Sequence, residues 1–345
     1  MTGSARPSAI AQLAATLGRE FDLPMLQKLL AIGPEAVAQQ VQALSDAGLL
    51  LPLKTGMHQF KHALIQQAAY QSQSRAQRLA AHRRISELLL RDFPEHVAKR
   101  PELVAQHLAD GGDQAGAIDY WCRAAQRAAL VWALSFAALL QRWLNRQPEA
   151  QVLATETIAI SRQHDFHLWR ACGEMTHGWA RVMQGQVDGL AEIESSIATM
   201  RQALGGMSVV FLSSQIEACM HLQQFDRALA LTAQALADAA KTGDAHFLPE
   251  LYRLKGVCLL SLDAANAAPA RACLQKALSI SSQQKAKPMA LRAATSLVHL
   301  GGSPDQIRAA QQDLQTIYHS FTEGWHSHDL QQAAACLLVG PDAST

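Results

Sequence analysis

A few histidines and one lysine have spacings that chemistry could use. His58 and His62 are four residues apart, a spacing typical of two metal ligands on one helix, and Lys61 lies between them. No glutamate accompanies them as in the HExxH pattern of metalloproteases, and His58 falls in a predicted strand, so the two rings need not face each other. We interpret His58, Lys61 and His62 as residues at the junction of two modules rather than as a catalytic or metal site.

Two further histidine pairs and six cysteines invite the same question. His164 with His167, and His326 with His328, lie in predicted turns, where each pair would need a third ligand from elsewhere to hold zinc. We expect surface histidines at both places. The cysteines are widely spaced, without a CxxC pair, and each lies in a predicted helix. We expect reduced core residues in a cytoplasmic protein, with disulfides or a zinc site as the alternative.

Sequence motifs of catalysis are absent. There is no GxxxxGK[ST] loop for nucleotide phosphates and no GxSxG nucleophile elbow. Isolated Asp and Glu residues on predicted helices are expected to be solvated. We therefore predict that the chain is not an enzyme, with no catalytic residue, no cofactor and no metal site. An enzyme with an unrecognised site is the alternative.

One predicted helix is basic in a chain whose net charge is only +1. Its arginines are Arg75, Arg78, Arg83, Arg84 and Arg91. Arg75, Arg78 and His82 fall on one helical face. A solvated face is one interpretation. The other is contact with phosphate, on nucleic acid or on a nucleotide held by a partner ATPase, for which Arg75, Arg78 and Arg84 are the candidates.

The composition favours a folded, mostly helical protein. Hydrophobic residues make up 49% of the 345 residues and aromatic residues only 6%, so the core must be built from small side chains. Ala, Leu and Gln are abundant, which favours helix over strand. The longest apolar run, residues 128–140, is shorter than the roughly 20 residues that a membrane-spanning helix needs. We expect a buried helix there.

Residues 5–60 have the element order of a winged helix. Helices are predicted at 9–17, 23–30 and 34–47, the second with Asp22 as N-cap and Pro24 in its first turn. Residues 49–53 and 57–60 flank Lys54-Thr55-Gly56 as a two-stranded wing. We predict a winged-helix-like unit at 1–62 and a helical connector at 63–112.

A repeating helix pair follows the connector. Similar blocks begin at Ala117, Ala150, Gly189, Ala228 and Ala270, at offsets of 33, 39, 39 and 42 residues. Second amphipathic helices are predicted between the later blocks, at 168–183, 209–222, 248–262 and 289–300. A lone helix pair cannot bury both apolar faces, so neighbouring pairs must stack. We predict an all-α protein, a tetratricopeptide-like α-solenoid at 113–340 after the winged-helix-like unit.

Aromatic residues cluster in the middle of the predicted array. Packing between helices is one role for them. The other is to anchor a protein partner on the concave face of the solenoid, and for this role we select Trp121, Trp143, Trp169 and Trp179. If the apolar run through Leu140 is poorly covered, it would also drive self-association.

Several segments resemble the C-terminal region of STAND-type signal-transduction ATPases. GREFDLPMLQKLL (18–30) and LSDAGLLLP (44–52) resemble the winged-helix segment after the ATPase core, and FKHALIQQAAY (60–70) and PELVAQHLADGGDQAGAIDYWCRAAQRA (101–128) resemble the entry into the tetratricopeptide array. ELYRLKG (250–256), LRAATSLVHL (291–300) and FTEGWHSHDLQQAAACL (321–337) are similar to later family segments. In that family a class III adenylyl or guanylyl cyclase domain often precedes the ATPase.

The resemblance has two gaps. The P-loop and the cyclase domain have no counterpart here, so the ATP-binding and cyclase activities carry over to no residue of this chain. Near residues 128–131 the array passes from its first helix pair to a late one, and several repeats of the relatives are missing. The resemblance therefore implies a region that follows an ATPase core, with a shortened array.

The implied function is a non-catalytic regulatory or protein-interaction module, similar to the sensor region of such an ATPase or cyclase. We expect protein partners, a P-loop ATPase or a cyclase among them, rather than nucleic acid or a membrane. The alternative is a transcriptional regulator that binds DNA through the winged helix. Its third helix would enter the major groove, but no Lys or Arg lies between Leu29 and Leu53 to neutralise phosphate.

Overall fold

Helix dominates the computed structural model, which describes residues 7–53, 56–204 and 209–338. Within these ranges there are eighteen α-helices and three short strands. The predicted wing turn at Lys54-Thr55 lies outside the described residues. Contacts between residues divide the chain into two compact units, Met1–Leu130 (unit 1) and Val131–Thr345 (unit 2).

Unit 1 begins with three helices and a small antiparallel sheet. Its elements are α1 (Pro7–Leu17), β1 (Glu20–Asp22), α2 (Leu23–Leu30), α3 (Pro34–Asp46), β2 (Leu50–Pro52) and β3 (Met57–Phe60). The strand order is β1-β3-β2, with Phe21 opposite His58 and Leu51 opposite Gln59. This is the predicted winged-helix-like order with one strand added. The sequence did not predict β1, because three residues are too few to show an alternating pattern.

Local sequence explains why α2 begins where it does. Asp22 Oδ1 accepts a hydrogen bond of 2.6 Å from the amide of Met25. Pro24 sits in the first turn, where its missing N–H would have no helical acceptor in any case. The helix ends at Ala31, which adopts a left-handed conformation with φ of 53°. The bounds of α2, the Asp22 cap and the position of Pro24 are as the sequence predicted.

Four connector helices complete most of unit 1. They are α4 (Ala63–Gln71), α5 (Arg75–Asp92), α6 (Pro94–Lys99) and α7 (Pro101–Asp110). Phe60 is buried in the same core as Leu26 and Leu50, and α1 contacts both α4 and α5. His62 occupies the N-cap position of α4. Lys61 and His62 therefore lie at the entry to α4, directly after the buried end of the wing.

A 30-residue helix, α8 (Gln114–Trp143), runs across the division between the two units. Contacts divide the chain between Leu130 and Val131, inside this helix, and not at residue 112. The domain boundaries 1–62, 63–112 and 113–340 remain predictions. The contact division falls where the sequence resemblance loses several repeats.

The second half of α8 is not the buried helix that its apolar sequence predicts. Trp132, Phe136 and Leu140 are 53%, 49% and 49% exposed, whereas Val131 and Ala138 are buried. The exposed side chains are four residues apart and form a stripe along the helix, with the Trp132 and Phe136 ring centroids 4.8 Å apart. The whole of α8, unlike the run at 128–140, is long and apolar enough to cross a membrane by length and composition alone.

Unit 2 continues with ten helices. They are α9 (Gln147–Gln163), α10 (His167–Met183), α11 (Gly189–Leu204), α12 (Val209–His221), α13 (Phe225–Thr242), α14 (Leu248–Leu262), α15 (Ala267–Gln283), α16 (Lys287–Leu300), α17 (Pro304–His319) and α18 (His328–Leu338). A short 3-10 helix, Ala264–Asn266, precedes α15. The blocks at Ala150, Gly189, Ala228 and Ala270 lie in α9, α11, α13 and α15, and the predicted second helices are α10, α12, α14 and α16.

Helix contacts in unit 2 follow the pattern of stacked pairs. Each helix from α9 to α18 contacts the next one along the chain, and each even-numbered helix also contacts the next even-numbered one. The helices α10, α12, α14, α16 and α18, called the even helices below, thus form one continuous layer. The odd-numbered helices pack onto that layer. This is the tetratricopeptide-like α-solenoid predicted from the period of the sequence.

Small residues set the spacing between neighbouring helices. Ala154, Ala228 and Ala270 are fully buried on odd-numbered helices. The closest approach joins α10 and α11, where a Cβ atom on Gly178 would lie 2.6 Å from the carbonyl oxygen of Gly189. Because the obstacle is backbone, neither helix can accommodate a side chain there without moving.

We expect Gly178→Ala to lower the free energy of unfolding by about 2 kcal/mol, because overpacking against the Gly189 carbonyl outweighs the higher helix propensity of alanine. Urea unfolding followed by circular dichroism measures the change. Ser195→Ala, at an exposed position of α11, is the control and should stay within about 0.5 kcal/mol of the parent protein. Equal stability of Gly178→Ala and the parent would contradict the close approach.

Candidate functional site

A cavity of about 420 Å³ lies within unit 2. Its lining, among the described residues, comes from the end of α8, from Asn145 and from all five even helices. The charged and aromatic members are Arg142, Trp143, Trp179, Glu217, Glu250, Arg253, Arg292 and Asp329. The layer of even helices therefore forms a cavity that is lined by both positively and negatively charged side chains.

Arg142, in the last turn of α8, is a deeply buried charge. Its Nη1 donates to Glu217 Oε2 at 2.9 Å, and its Nη2 donates to Ser213 Oγ at 2.5 Å and to the carbonyl of Val210 at 3.3 Å. Trp179 donates its indole N–H to the same Glu217 oxygen at 2.9 Å. Burial lowers the pKa of Arg142 and the Glu217 carboxylate opposes that effect, so Arg142 stays protonated.

Glu250 is a fully buried carboxylate held by two arginines. Arg253 donates Nε to Glu250 Oε2 at 3.0 Å and Nη2 to Oε1 at 2.5 Å, while Arg292 Nη1 lies 3.7 Å from Oε1. Burial alone would raise the pKa of Glu250, but the charges of Arg253, Arg292 and Arg142 outweigh burial and lower it to about 2. Its position in the first turn of α14 also suits a negative charge.

Arg292 connects three helices around the cavity. Its Nε donates to Asp329 Oδ2 on α18 at 2.6 Å, its Nη1 faces Glu250 on α14, and its Nη2 donates to the carbonyl of Trp143 at the end of α8. Burial would lower the pKa of Arg292, but Glu250 and Asp329 together raise it. A single guanidinium on α16 thus ties α8, α14 and α18 to one another.

Two buried donors in the cavity wall have no hydrogen-bond acceptor within the described part of the chain. They are Arg142 Nε and Trp143 Nε1. A buried donor without an acceptor costs about 1–3 kcal/mol. Both nitrogens are closed to solvent, so the wall recovers that free energy when a side-chain movement turns them toward the oxygen acceptors of a bound molecule, such as peptide carbonyls or a carboxylate. The cavity is therefore suited to binding an acceptor-bearing molecule.

The four predicted partner-binding tryptophans fall into three different places. Trp143 and Trp179 both line the charged cavity, although Trp179 is buried and already donates to Glu217. Trp169 lines a separate cavity, and Trp121 lies half-exposed on the part of α8 that belongs to unit 1. Their role in partner binding remains a prediction.

The three predicted phosphate-contact arginines do not share one environment. Arg75 and Arg84 are exposed on α5. Arg78 is half-buried, donates Nη1 to the carbonyl of Gln73 at 2.8 Å, and lies over the ring of Tyr70 at 5.4 Å from its centroid. Arg78 therefore already serves the local structure, and phosphate contact by these residues remains a prediction.

His82, placed on the basic face by its sequence spacing, is instead buried in unit 1. Its Nδ1 lies 2.9 Å from His107 Nδ1, and its Nε2 lies 2.9 Å from the Tyr70 hydroxyl. Burial lowers the pKa of both imidazoles, and the neighbouring His82 adds to the effect on His107, whose pKa falls to about 4. The nearby carboxylate of Asp110 partly opposes the shift at His82.

Two of the sequence-based expectations about burial are wrong. His164 is buried rather than on the surface, with its ring 5.8 Å from that of Phe166, whereas His167, His326 and His328 are exposed. Cys122 is exposed rather than in the core. The cysteines at 172, 219, 258 and 336 are buried, Cys273 is half-buried, and all six are free thiols.

Sequence reasoning did not predict the charged cavity. Its ionisable residues are spread from Arg142 to Asp329, and each one alone resembles a solvated charge on a helix. One signal was present, because Glu250 and Arg292 fall on the second helix of a repeat, among apolar residues at helical spacing. A charge on the apolar side of a repeat helix indicates either an internal partner or a ligand.

Solved structures that are similar to this chain include two distant ones. No family model and no curated protein matches this chain. The apo form of RapI is similar over 76% of this chain and 75% of that chain, at 11% identity and a TM-score of 0.42. A Signal Transduction ATPase with Numerous Domains (STAND) protein with a tetratricopeptide repeat sensor from Pyrococcus horikoshii is similar over 98% of this chain and 63% of that chain, at 11% identity and a TM-score of 0.36.

This chain therefore spans less than two thirds of the length of that STAND protein. At 11% identity and TM-scores below 0.5, neither likeness assigns a ligand or a role to any residue here. The fold of this chain rests on its own helix contacts, and the candidate site rests on the geometry of its cavity.

We expect the stability of unit 1 to fall as the pH drops from about 6.5 to about 4, by about 3 kcal/mol. The folded pKa of His107 lies below its unfolded value, so between these two pH values the unfolded chain binds a proton that the folded chain resists. The stabilisation is complete above the unfolded pKa and is lost as the pH approaches the folded pKa. Urea unfolding at a series of pH values measures the loss.

The matched variants for this pH profile are His107→Asn and His326→Asn. His107→Asn removes one of the two buried titrating imidazoles and should make the profile between pH 6.5 and 4 less steep. His326→Asn changes an exposed histidine and should keep the parent profile. An unchanged acid loss in His107→Asn would mean that other groups cause it.

Proposed function

We propose that this chain is a non-catalytic protein-interaction module whose charged cavity receives a segment of a polypeptide partner. The observation that carries the proposal is the pair of buried donors, Arg142 Nε and Trp143 Nε1, in a wall built by successive even helices. A polypeptide main chain offers carbonyl acceptors at regular spacing. The volume of the cavity, about 420 Å³, lies in the range of ordinary ligand sites.

The charges of the cavity suit recognition better than catalysis. A general base works best when its pKa lies near the operating pH, whereas Glu250 has a pKa of about 2 and is held by Arg253 and Arg292. Glu217 and Asp329 are likewise paired with arginines. Paired charges of both signs provide fixed donors and acceptors for a ligand, and this supports a binding role without turnover.

The partner proposed from the sequence resemblance is a P-loop ATPase or a cyclase of signal transduction. In this proposal the winged-helix-like unit contacts the ATPase core, and the cavity of unit 2 binds a polypeptide segment as the sensed signal. We place the protein in the cytoplasm. Its six free cysteines support that location, because thiols are kept reduced in the cytosol.

The experiment is selection of a phage-displayed peptide library on the purified chain, followed by calorimetry with the selected peptides. We expect Trp143→Phe to weaken binding about three- to tenfold, because phenylalanine keeps an aromatic ring but removes the Nε1 donor. Trp325→Phe makes the same exchange at an exposed tryptophan outside the cavity lining and should leave the affinity unchanged.

Two results would count against this function. One is a library from which no peptide is enriched over a blank support. The other is a set of peptides whose affinity is the same for Trp143→Phe, Trp325→Phe and the parent protein, which would place the binding surface outside the cavity.

A DNA-binding regulator is the second candidate, favoured by the order and pairing of the elements from α1 to β3. The exposed side of α3 argues against DNA binding. This side carries Glu35, Asp46, Gln39 and Gln42 and no basic side chain. A gel shift with random duplex DNA, repeated over a range of salt concentrations, separates the two functions. A salt-sensitive shift with sequence preference would favour the regulator.

A further inference from the structure

A second cavity in unit 2, of about 210 Å³, differs in character from the charged one. Its wall is formed by Phe136 and Leu139 of α8, Trp169 and Met175 of α10, Met200 of α11 and Phe211 of α12, together with the smaller Ser135, Leu168, Cys172 and Thr176. No Asp, Glu, Lys or Arg is among these lining residues. The packed cluster at this place is small, with Ala171, Cys172 and Met200 as its buried members.

The lining side chains favour an aromatic occupant over an aliphatic one. Three of them are aromatic, namely Phe136, Trp169 and Phe211, and three carry sulfur, namely Cys172, Met175 and Met200. Aromatic rings pack favourably against both kinds of side chain, in offset or edge contacts with rings and at the ring edge with sulfur. Burial raises the pKa of the Cys172 thiol to about 12, so the wall carries no thiolate at neutral pH.

The volume sets the size of such a molecule. An engineered apolar cavity of about 150 Å³ holds benzene. The cavity of about 210 Å³ exceeds it by about 60 Å³, which is room for a second fused ring but not for a larger polycyclic molecule. A bicyclic aromatic molecule therefore matches this cavity in both size and lining.

Both hydroxyl groups in the wall already donate their protons to backbone carbonyls. Ser135 Oγ donates to the carbonyl of Val131 at 2.8 Å, and Thr176 Oγ1 donates to the carbonyl of Cys172 at 3.2 Å. Each oxygen keeps lone pairs and can only accept a further hydrogen bond. The two hydroxyl groups thus suit a ligand with one N–H donor and give no donor to a ligand with a carbonyl or carboxylate.

We propose that this cavity is a binding site for a neutral bicyclic aromatic molecule of the indole class, with its N–H donated to Thr176 or Ser135. The site is separate from the peptide cavity and does not depend on the function proposed there. Phe136 lies at its rim, because this side chain lines the cavity and is also half-exposed. The ligand enters past Phe136.

Fluoroindole observed by fluorine NMR tests the proposal on the full chain. We expect saturable binding of one fluoroindole per chain, displaced by unlabelled indole and by naphthalene and not by indole carboxylate. Absence of saturable binding to the parent protein would overturn the proposal whatever the variants do.

Two changes to the wall locate the binding. Cys172→Leu fills the cavity and should reduce the affinity for fluoroindole at least tenfold, with circular dichroism to verify the fold and Met200→Phe as a second filling variant. The pair Ser135→Ala and Thr176→Val removes both hydroxyl acceptors at nearly constant volume. It should weaken indole about three- to tenfold relative to naphthalene.

Variants outside the cavity control for binding to exposed apolar residues. Leu130→Ala and Leu140→Ala each remove an exposed apolar side chain of α8 that does not line the cavity, and they should keep the parent affinity. Affinity that falls with these variants but not with Cys172→Leu would overturn the site. The same holds if light scattering shows a dimer that Cys172→Leu dissociates, because a second copy would then occupy the cavity.

Discussion

The contacts of Arg292 hold the even helices around the charged cavity. Its guanidinium joins the end of α8, the buried Glu250 of α14 and Asp329 of α18. Removing such charges from water costs several kcal/mol per ion, and well-packed apolar residues of similar volume often serve stability as well or better. Stability alone therefore does not account for the charges. The buried ion pairs hold the donors and acceptors of these side chains in fixed directions, and a binding site requires such fixed groups.

The repeated helix pairs could be predicted because they follow from local sequence patterns. The helix α2 has the bounds predicted from its Asp22 cap, and α10, α12, α14 and α16 were predicted within a few residues of their observed ends. Each of these depends on spacing within about twenty residues of chain. The strand β1 was missed because it exists only by pairing with β3, thirty-five or more residues later.

The candidate site was hidden for a related reason. Arg142, Glu217 and Glu250 come together only because alternate helices stack, and nothing near Arg142 in sequence distinguishes it from a solvated arginine at a helix end. The same applies to His82, whose spacing placed it with Arg75 and Arg78 although His107 and Tyr70 bury it. The apolar run of α8 led to the opposite error. Phe136 and Leu140 were predicted to be core residues, but they are half-exposed. A local sequence pattern predicts a helix or a strand, but it does not predict which other elements pack against it.

The two cavities share three helices, and this gives unit 2 a physical route for coupling them. On α10 Thr176 lines the apolar cavity and Trp179, one turn further on, lines the charged one. On α8 the pair is Leu139 and Arg142, again three residues apart, and α12 contributes to both walls. A ligand that shifts α8 or α10 at one cavity must also move the wall of the other, because side chains one turn apart move together on a rigid helix. Any such coupling acts equally in both directions. A partner segment bound in the charged cavity would change the affinity for an aromatic molecule by the same factor by which that molecule changes the affinity for the segment.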